Sequence, residues 1–547
     1  MKEAVPLSPD VHLDATFRSP DGRRAPRSVL HNGSAAMDVV TYTGDTLPAQ
    51  HLASALAGAG FEVSRFRPVE RTLLDTFDGR LHAAGVRLEV RAGADLQLIV
   101  SGGGPTPARL TVERLPAVAG DLPAGPLRAR LAPLLDVRAL RPTVRVASLQ
   151  ADAVRRNEEG KAVVGVALHD RPTGETGAPL SALLMAEIVQ YEGYPRATRQ
   201  GESLLGSLGL TRREGDVLDL AAEDAGIDLR GFVGSPTIRL DPSEHAVAGF
   251  RRVLANLADT IEANRQGTID DIDPEFLHDL RVAVRRSRSI LSHGKQVLPA
   301  DGRDHFRAEF RWLGTVTSPL RDLDVYVIEW PGYVATLDPD TAAALGPVVD
   351  HIAAGRAAEH GTLVGQLGSA RYQGLMTAWR AWLDPDAGKT KLPKKSNRLL
   401  GAVVAARIGE AQDQLLLRGR AIGPSTAAEE LHELRKDAKR LRYLIECFGG
   451  LLPASARKPF VQRLKALQDN LGEHQDTEVH TAQLKAMSQE LHGSPGVTAA
   501  TLLAMGRLTE VFDRRRVEAR NQFAERFANY DTKQTARALA ELVETVS

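Results

Sequence analysis

Apolar residues along the chain recur with a period near two up to about residue 225, and near 3.6 beyond about residue 243. In the first region Val86-Arg87-Leu88-Glu89-Val90-Arg91 alternates, residues 108–115 do so approximately, and 162–169 is a short β-rich run. Asp78-Gly79, Gly102-Gly103-Gly104-Pro105 and Glu159-Gly160 supply turn signals between these runs, and helical patterns intervene at 48–59, 123–135 and 202–208. The pattern predicts an α+β domain over residues 36–228, an antiparallel tunnel- or barrel-like sheet. It follows a polar tail at 1–35, rich in Pro, Arg and Ser, that reads as flexible. Gly, Ser and Pro crowd a linker at 229–242. Beyond it an all-α domain is predicted over 243–547, with helices at 244–264, 274–297, 303–317 and a further pair to about 383. A second set starts near 396 and runs through 424–448, 454–471, 497–529 and 532–546. Asp273-Pro274 puts proline at a first helical position, Ser425 and Thr426 are candidate caps for the helix at 424–448, and Gly449-Gly450 closes that helix.

The two helical sets, 243–385 and 396–547, read as copies of one unit. His278-Asp279-Leu280-Arg281 returns as His432-Glu433-Leu434-Arg435, an offset of 154 residues. The same offset places Arg311 on Lys465, Leu313 on Leu467, Asp322 on Asp476 and Val325 on Val479. On a helix, positions +0, +3, +7 and +10 share a face. They are His278, Arg281, Arg285 and Arg288 in the first copy, and His432, Arg435, Lys439 and Arg442 in the second. Beside each row runs an apolar stripe: Leu277, Leu280, Val284 and Leu291, then Leu431, Leu434, Ala438, Leu441 and Ile445. Each helix therefore has a buried seam and a cationic ridge, flanked by Arg286 or Arg440. Asp279 and Glu433 sit in first turns, where the helix dipole favours them, and Asp437 is placed on the side away from the ridge. An ordinary solvated face mixes signs for i,i+4 pairing. A single-sign ridge, repeated with its histidine in register, calls for an anion from outside.

Composition localises that charge. Sixty-nine basic and sixty-nine acidic residues cancel over 547 positions, so no global field holds a polyanion or a membrane. Cys447 is the only cysteine, which excludes an intrachain disulfide and suits a reducing cytoplasm. The N-terminal MKEAVPLSPDVHLD lacks the apolar core of a signal peptide, and no run approaches a membrane span. Gly388-Lys389-Thr390 looks like the end of a phosphate loop, but Leu383 stands where its first glycine is required, so a basic linker is the better reading. Aromatic residues are 5% of the chain and only Tyr443 edges a ridge, which disfavours nucleic acid as the partner. No dense carboxylate cluster surrounds Asp322 or Asp476, so each is expected to pair with a base or cap a helix; no metal and no cofactor is implied.

The doubled His-x-x-Arg helix, with residues 311–325 and 465–479 after it, resembles the CHAD family, the conserved-histidine α-helical domain, over about residues 238–547. The resemblance implies two four-helix bundles related by a pseudo-twofold axis and a basic surface that binds inorganic polyphosphate. Its implied ligands are His278, Arg281, Arg285, Arg286, Arg288, His432, Arg435, Lys439, Arg440 and Arg442, with Arg311 and Lys465 contributing from neighbouring helices. The histidines are expected to donate an N–H to phosphate; if they act protonated, affinity falls as pH rises through about 6.5. The implied place of action is the cytoplasm, at polyphosphate granules, in targeting or in sensing.

Upstream, Asp75-Thr76-Phe77-Asp78-Gly79-Arg80-Leu81 with Ala84-Gly85-Val86-Arg87 is similar to the CYTH family, the triphosphate tunnel metalloenzymes, and Glu187-Ile188 fits a later strand of that fold. The family opens on Glu-x-Glu-x-Lys, whereas residues 37–42 here (MDVVTY) have neither the paired carboxylates nor the lysine. Glu89 and Ser101 stand where an arginine and a lysine are expected, and Val189 and Tyr191 where carboxylates are. Tunnel hydrolysis needs several carboxylates on one divalent cation. A degenerate, non-enzymatic domain with no catalytic residue is therefore expected; residual triphosphatase activity and nucleic-acid binding are the alternatives.

Overall fold

The computed structural model describes residues 40–102, 108–232, 238–384, 392–544 and 546. The tail at 1–35, Gly103 and Gly104, Gly388-Lys389-Thr390 and part of the 229–242 linker lie outside the described residues. The chain divides into a sheet unit, residues 1–134 with 140–230, and a helical unit, residues 135–139 with 231–547.

The sheet unit is one antiparallel sheet. Its strands are β1 (Val40–Gly44), β2 (Glu62–Val63), β3 (Arg67–Asp75), β4 (Val86–Ala92), β5 (Leu96–Gly102), β6 (Ala108–Val112), β7 (Arg141–Arg156), β8 (Ala162–Thr173), β9 (Leu184–Gln190) and β10 (Thr211–Glu214). Their order is β10-β1-β9-β8-β7-β3-β4-β5-β6, with β2 on β7. Helices α1 (Ala49–Gly58), α2 (Arg80–Ala83), α3 (Pro126–Leu135), α4 (Pro195–Ser207) and α5 (Val217–Ala225) join them. Leu52, Leu56 and Leu205 from α1 and α4 pack on Val164 and Ile188 of β8 and β9. The helix expected at 202–208 starts earlier, at Pro195. Two strands separate β3 from β9, so a flat sheet would hold them ~14 Å apart. Yet Arg71 of β3 donates to Glu187 of β9 at 2.7 Å, which requires strong curvature and makes polar side chains converge on the concave face.

In the helical unit, α6 (Ala246–Ile269), α7 (Pro274–His293), α8 (Ala300–Val316), α9 (Ser318–Val334), α10 (Pro339–Ala343), α11 (Gly346–Leu367) and α12 (Ala370–Leu383) form the first copy. The second is α13 (Leu400–Ala421), α14 (Ala428–Cys447), α15 (Ala454–Leu491), α16 (Ala499–Tyr530) and α17 (Lys533–Glu544). The starts of α6 and α13, α7 and α14, and α8 and α15 are each 154 residues apart. One apolar core, running from Phe250 through Leu280 and Trp379 to Leu434 and Phe460, takes side chains from both copies. Tyr326 donates to the His480 carbonyl at 3.1 Å, and these two residues are themselves 154 apart. Equivalent positions that touch one another are what a local twofold axis produces.

Two departures from the expected elements have local causes. Residues 318–383 hold four helices rather than a pair, and α15 runs on to Leu491 where α8 stops at Val316. Pro319, in the first turn of α9, has no N–H to continue α8, whereas its equivalent Glu473 does. Asp273 caps α7 as expected, accepting from Glu275 N at 2.9 Å. Ser425 and Thr426 do not cap α14: Ala427 holds that place without a side-chain bond, and Thr426 Oγ1 accepts from Gly423 N instead.

Candidate anion-binding site

The apolar stripes of both ridge helices are buried, which turns the basic rows outward from the core on a fixed angle. Helices α7 and α14 pack against each other, so the two rows lie on either side of the local twofold. Arg285 is the strongest electrostatic neighbour of Lys439, its own equivalent. Burial and then Arg285 and Arg435 push the Lys439 ammonium down to about 7, against which Asp476 acts only in part.

On the first copy Arg281, Arg285, Arg288 and Arg311 surround a cleft of about 200 Å³ floored by Gly314, Thr315 and Ser318. Among the described residues Arg285, Arg288 and Arg311 have no ion-pair partner. Burial, Arg311 and Arg285 together lower the Arg288 guanidinium. Arg281 is held at the α8–α9 break, donating to the Gly314 carbonyl at 3.1 Å, Thr317 Oγ1 at 2.9 Å and Ser318 Oγ at 3.0 Å. Burial and the adjacent Arg285 bring it down to about 10. Asp322 lies near Arg281 and Arg285 but forms no ion pair among the described residues.

The second row is more self-satisfied. Arg435 pairs with Asp476 at 3.0 Å; Arg442 donates to Gln468 Oε1 at 2.8 Å and pairs with Glu446 at 3.3 Å. His432 Nδ1 is hydrogen-bonded to Gln475 Oε1. Lys439 and the exposed Lys465 have no ion-pair partner among the described residues. The flanking arginines do not join the cluster: Arg286 reaches across to Glu446 at 2.6 Å, and Arg440 pairs with Asp437 at 2.8 Å. Asp437 is buried and also holds Arg418; its partners are this arginine and the flanking Arg440, and among the described residues it pairs with no member of the row.

His278 is half-buried. Burial, then Arg321, pushes its imidazole down to about 4, so it is neutral near pH 7 and the pH dependence expected of it as a cation is not available. Its ring lies with Glu275 and Asp279 in a group whose ligand atoms fall within 4.8 Å. Arginines already occupy both carboxylates: Arg321 stands 3.7 Å from Glu275 and Arg138 is hydrogen-bonded to Asp279. A larger cleft of about 540 Å³, between α15 and α16, is bounded by Asp469, Glu473 and Glu518 as well as Arg515 and Arg526, and takes none of the ridge residues.

The concave face of the sheet unit is the other charged centre. Arg71, 2% exposed, donates to Glu89 at 2.8 Å, Glu187 at 2.7 Å and Asp216 at 2.7 Å. Asp216 also pairs with Arg87 at 2.6 Å and caps α5 through Leu218 N and Asp219 N. Glu187 further accepts from Val217 N at 2.7 Å and faces His169 Nε2 at 3.3 Å. Burial alone would raise Glu89, but Arg71 and Arg91 hold it well below the usual carboxylate range. The divalent cation implied by the tunnel resemblance does not fit this donor set, because each carboxylate that could bind it already closes on an arginine. Sequence reasoning missed Arg71, His169 and Asp216; only the alternation of β3, which puts Arg67, Val69, Arg71 and Leu73 on one face, signals the first.

The chain matches the CHAD domain family model over residues 252–485. Two uncharacterized proteins of Mycobacterium tuberculosis are each 26% identical over 214 residues, 38% of this chain. The match spans 40% of the length of these relatives. Among solved structures, the CHAD domain from the plant Ricinus communis is 26% identical, covering 56% of this chain and 96% of that one, with a TM-score of 0.43. PptA from Streptomyces chartreusis is 18% identical, covering 52% and 100%, with a TM-score of 0.42. A further solved structure similar to part of the chain is a Hippeastrum protein described as revealing a dominant triphosphatase activity: 16% identical, 36% of this chain and 100% of that one covered, TM-score 0.25. Among the described residues no helix is long and apolar enough to cross a membrane.

Proposed function

Residues 252–485 being a CHAD domain, we propose that the helical unit binds inorganic polyphosphate across the two ridges. The observation that carries this reading is a group of cations, Arg285, Arg288, Arg311 and Lys439, with no ion-pair partner among the described residues, in which Arg311 and Arg285 lower Arg288 and Arg285 lowers Lys439. Such a group is costly until an anion arrives. Arg281, with Arg435 and Arg442 from the second row and Lys465 from α15, extends it along helices that give ~15 Å between His278 and Arg288, room for several phosphates. Arginine's planar fork suits phosphate oxygens, and each charge-assisted contact is worth about 1.5–3 kcal/mol before desolvation and chain ordering. His278 and His432 serve as N–H donors, His278 as the neutral imidazole. Such binding would place the protein on polyphosphate granules or make it respond to polyphosphate.

The test is titration of the full chain with polyphosphate of defined length, in competition with single-stranded RNA at equal phosphate concentration. Polyphosphate should win, since Tyr443, the one aromatic at the ridge edge, is buried and offers no stacking face. Displacement of polyphosphate by RNA would overturn the reading. For the sheet unit we infer a scaffold or regulatory role. Tripolyphosphate with Mg²⁺ or Mn²⁺ should release no phosphate, and release abolished by Glu187→Gln would reverse that inference.

A further inference from the structure

The two ridges are built from one repeat but are not equivalent, and one column of the repeat accounts for most of the difference. Subtracting 154 places Gln468 on Gly314, Arg442 on Arg288, Asp469 on Thr315 and Gly472 on Ser318. In the second copy the Gln468 side chain lies on the arginine, accepting from Arg442 Nη1 at 2.8 Å, and Glu446 takes the same guanidinium at 3.3 Å. In the first copy the equivalent of Glu446 is Ser292, whose hydroxyl is spent on the Arg288 carbonyl. A Cβ added to Gly314 would stand 3.6 Å from Arg288 Nη1 and 3.9 Å from Val284 Cγ1. That is ordinary contact: there is room for a side chain, and its absence leaves the Arg288 guanidinium uncovered.

Gly314 sits inside α8, where glycine is a poor helix former and neither a turn nor a backbone approach demands it. Its φ is not in the left-handed region. What it does is keep the floor of the cleft open beneath Arg281, Arg285, Arg288 and Arg311, beside Thr315 and Ser318. The second copy replaces one of those hydroxyls with the carboxylate of Asp469 and the other with no side chain at all. It also carries lysine in place of Arg285 and Arg311.

We infer that the first-copy cleft is the dominant phosphate subsite, opened by Gly314, and that the second copy is a weak extension of it whose arginine is capped from within by Gln468. The inference rests on the polyphosphate reading above and adds to it which half of the repeat carries the affinity, and which residue decides that.

Exchanging the column between the copies tests it in the full chain, with inorganic polyphosphate of defined length as the probe and calorimetric affinity as the readout. Gly314→Gln should weaken binding about tenfold or more by capping Arg288, while raising helix propensity and so keeping the fold. Gly314→Ala, whose methyl touches the guanidinium but accepts no hydrogen bond from it, should lose less affinity than Gly314→Gln. Gln468→Gly should bind at least as tightly as the parent. Arg288→Gln and Arg442→Gln give a second pair that leaves the glycine in place, with losses of about tenfold and under threefold respectively. Equal losses from Gly314→Gln and Gln468→Gly, or from the two arginine variants, would overturn the asymmetry while leaving polyphosphate binding intact. No polyphosphate binding by the parent protein would instead remove the reading beneath it.

Discussion

Arg71 in the sheet unit and Arg285 in the helical unit are the same side chain in opposite circumstances. Arg71 is enclosed by Glu89, Glu187 and Asp216, so its charge is answered inside the protein and no anion has reason to come. Arg285 stands among Arg281, Arg288 and Lys439, with Asp322 nearby but no carboxylate at ion-pair distance among the described residues. Counting cations would rank the two centres alike. Counting the acids that reach them separates a structural knot from a centre still open to an anion.

Removing each charge should therefore have effects of opposite kind. The largest is expected from Arg71→Ala, which removes the shared partner of three buried carboxylates and should cost about 3–5 kcal/mol of unfolding free energy. Chemical denaturation should show it; Arg285→Ala, by relieving repulsion, should leave stability unchanged or raise it by up to ~1 kcal/mol. In binding the order reverses. Arg285→Glu combined with Arg288→Glu should weaken polyphosphate binding by about 100-fold or more, from two lost contacts of ~1.5–3 kcal/mol each.

Salt offers a smaller and more graded measure. If four phosphates are neutralised, the logarithm of affinity should fall with the logarithm of salt at a slope near −3, about 50-fold between 50 and 200 mM NaCl. A slope near zero would mean that the ridge cations do not meet phosphates. The pH response should be milder again, up to ~tenfold per unit above neutrality. Lys439, at about 7 in the free protein, faces Arg285 of α7, Arg435 and Arg442 of its own helix and Asp476 of α15. A bound polyanion favours its ammonium form, so binding above pH 7 must take up a proton and weakens as pH rises. Below about pH 6 the lysine is already charged and affinity is flat. Lys439→Arg should abolish the slope, whereas His278, already neutral above its value of about 4, should add nothing between pH 5.5 and 8. The smallest change, under ~twofold in affinity, is expected for Arg440→Ala, whose guanidinium answers Asp437.

Much of this was legible in the chain. Period, offset and the apolar stripes place the ridge helices, because a repeated 3.6 pattern reports directly on which face is buried. The sequence is poorer at reporting who answers whom. Glu446 takes Arg286 from the opposite ridge helix and Asp476 reaches Arg435 from the helix that follows; neither pairing follows from spacing on one helix. Gly314 and Gln468 were open to inspection in the repeat alignment, yet a glycine inside a helical pattern reads as mild noise until the arginine beside it is known to be bare. The sheet unit was harder. Its degeneracy shows in the missing motif residues, but the closing of Glu187 and Asp216 on Arg71 depends on curvature that joins strands far apart in order.

The local twofold that sets Arg285 against Lys439 and Tyr326 against His480 also bears on direction. Inorganic polyphosphate reads identically from its two ends, so a strand can cross the axis either way and present the same atoms to each half. RNA has a 5′ and a 3′ sense, and turning it around at such an axis exchanges unlike partners. On the proposed reading, a site related to itself by a local twofold is matched to a polymer without polarity, and its departure from symmetry in the column of Gly314 and Gln468 chooses where along the chain the grip is firmest rather than which way the chain must run.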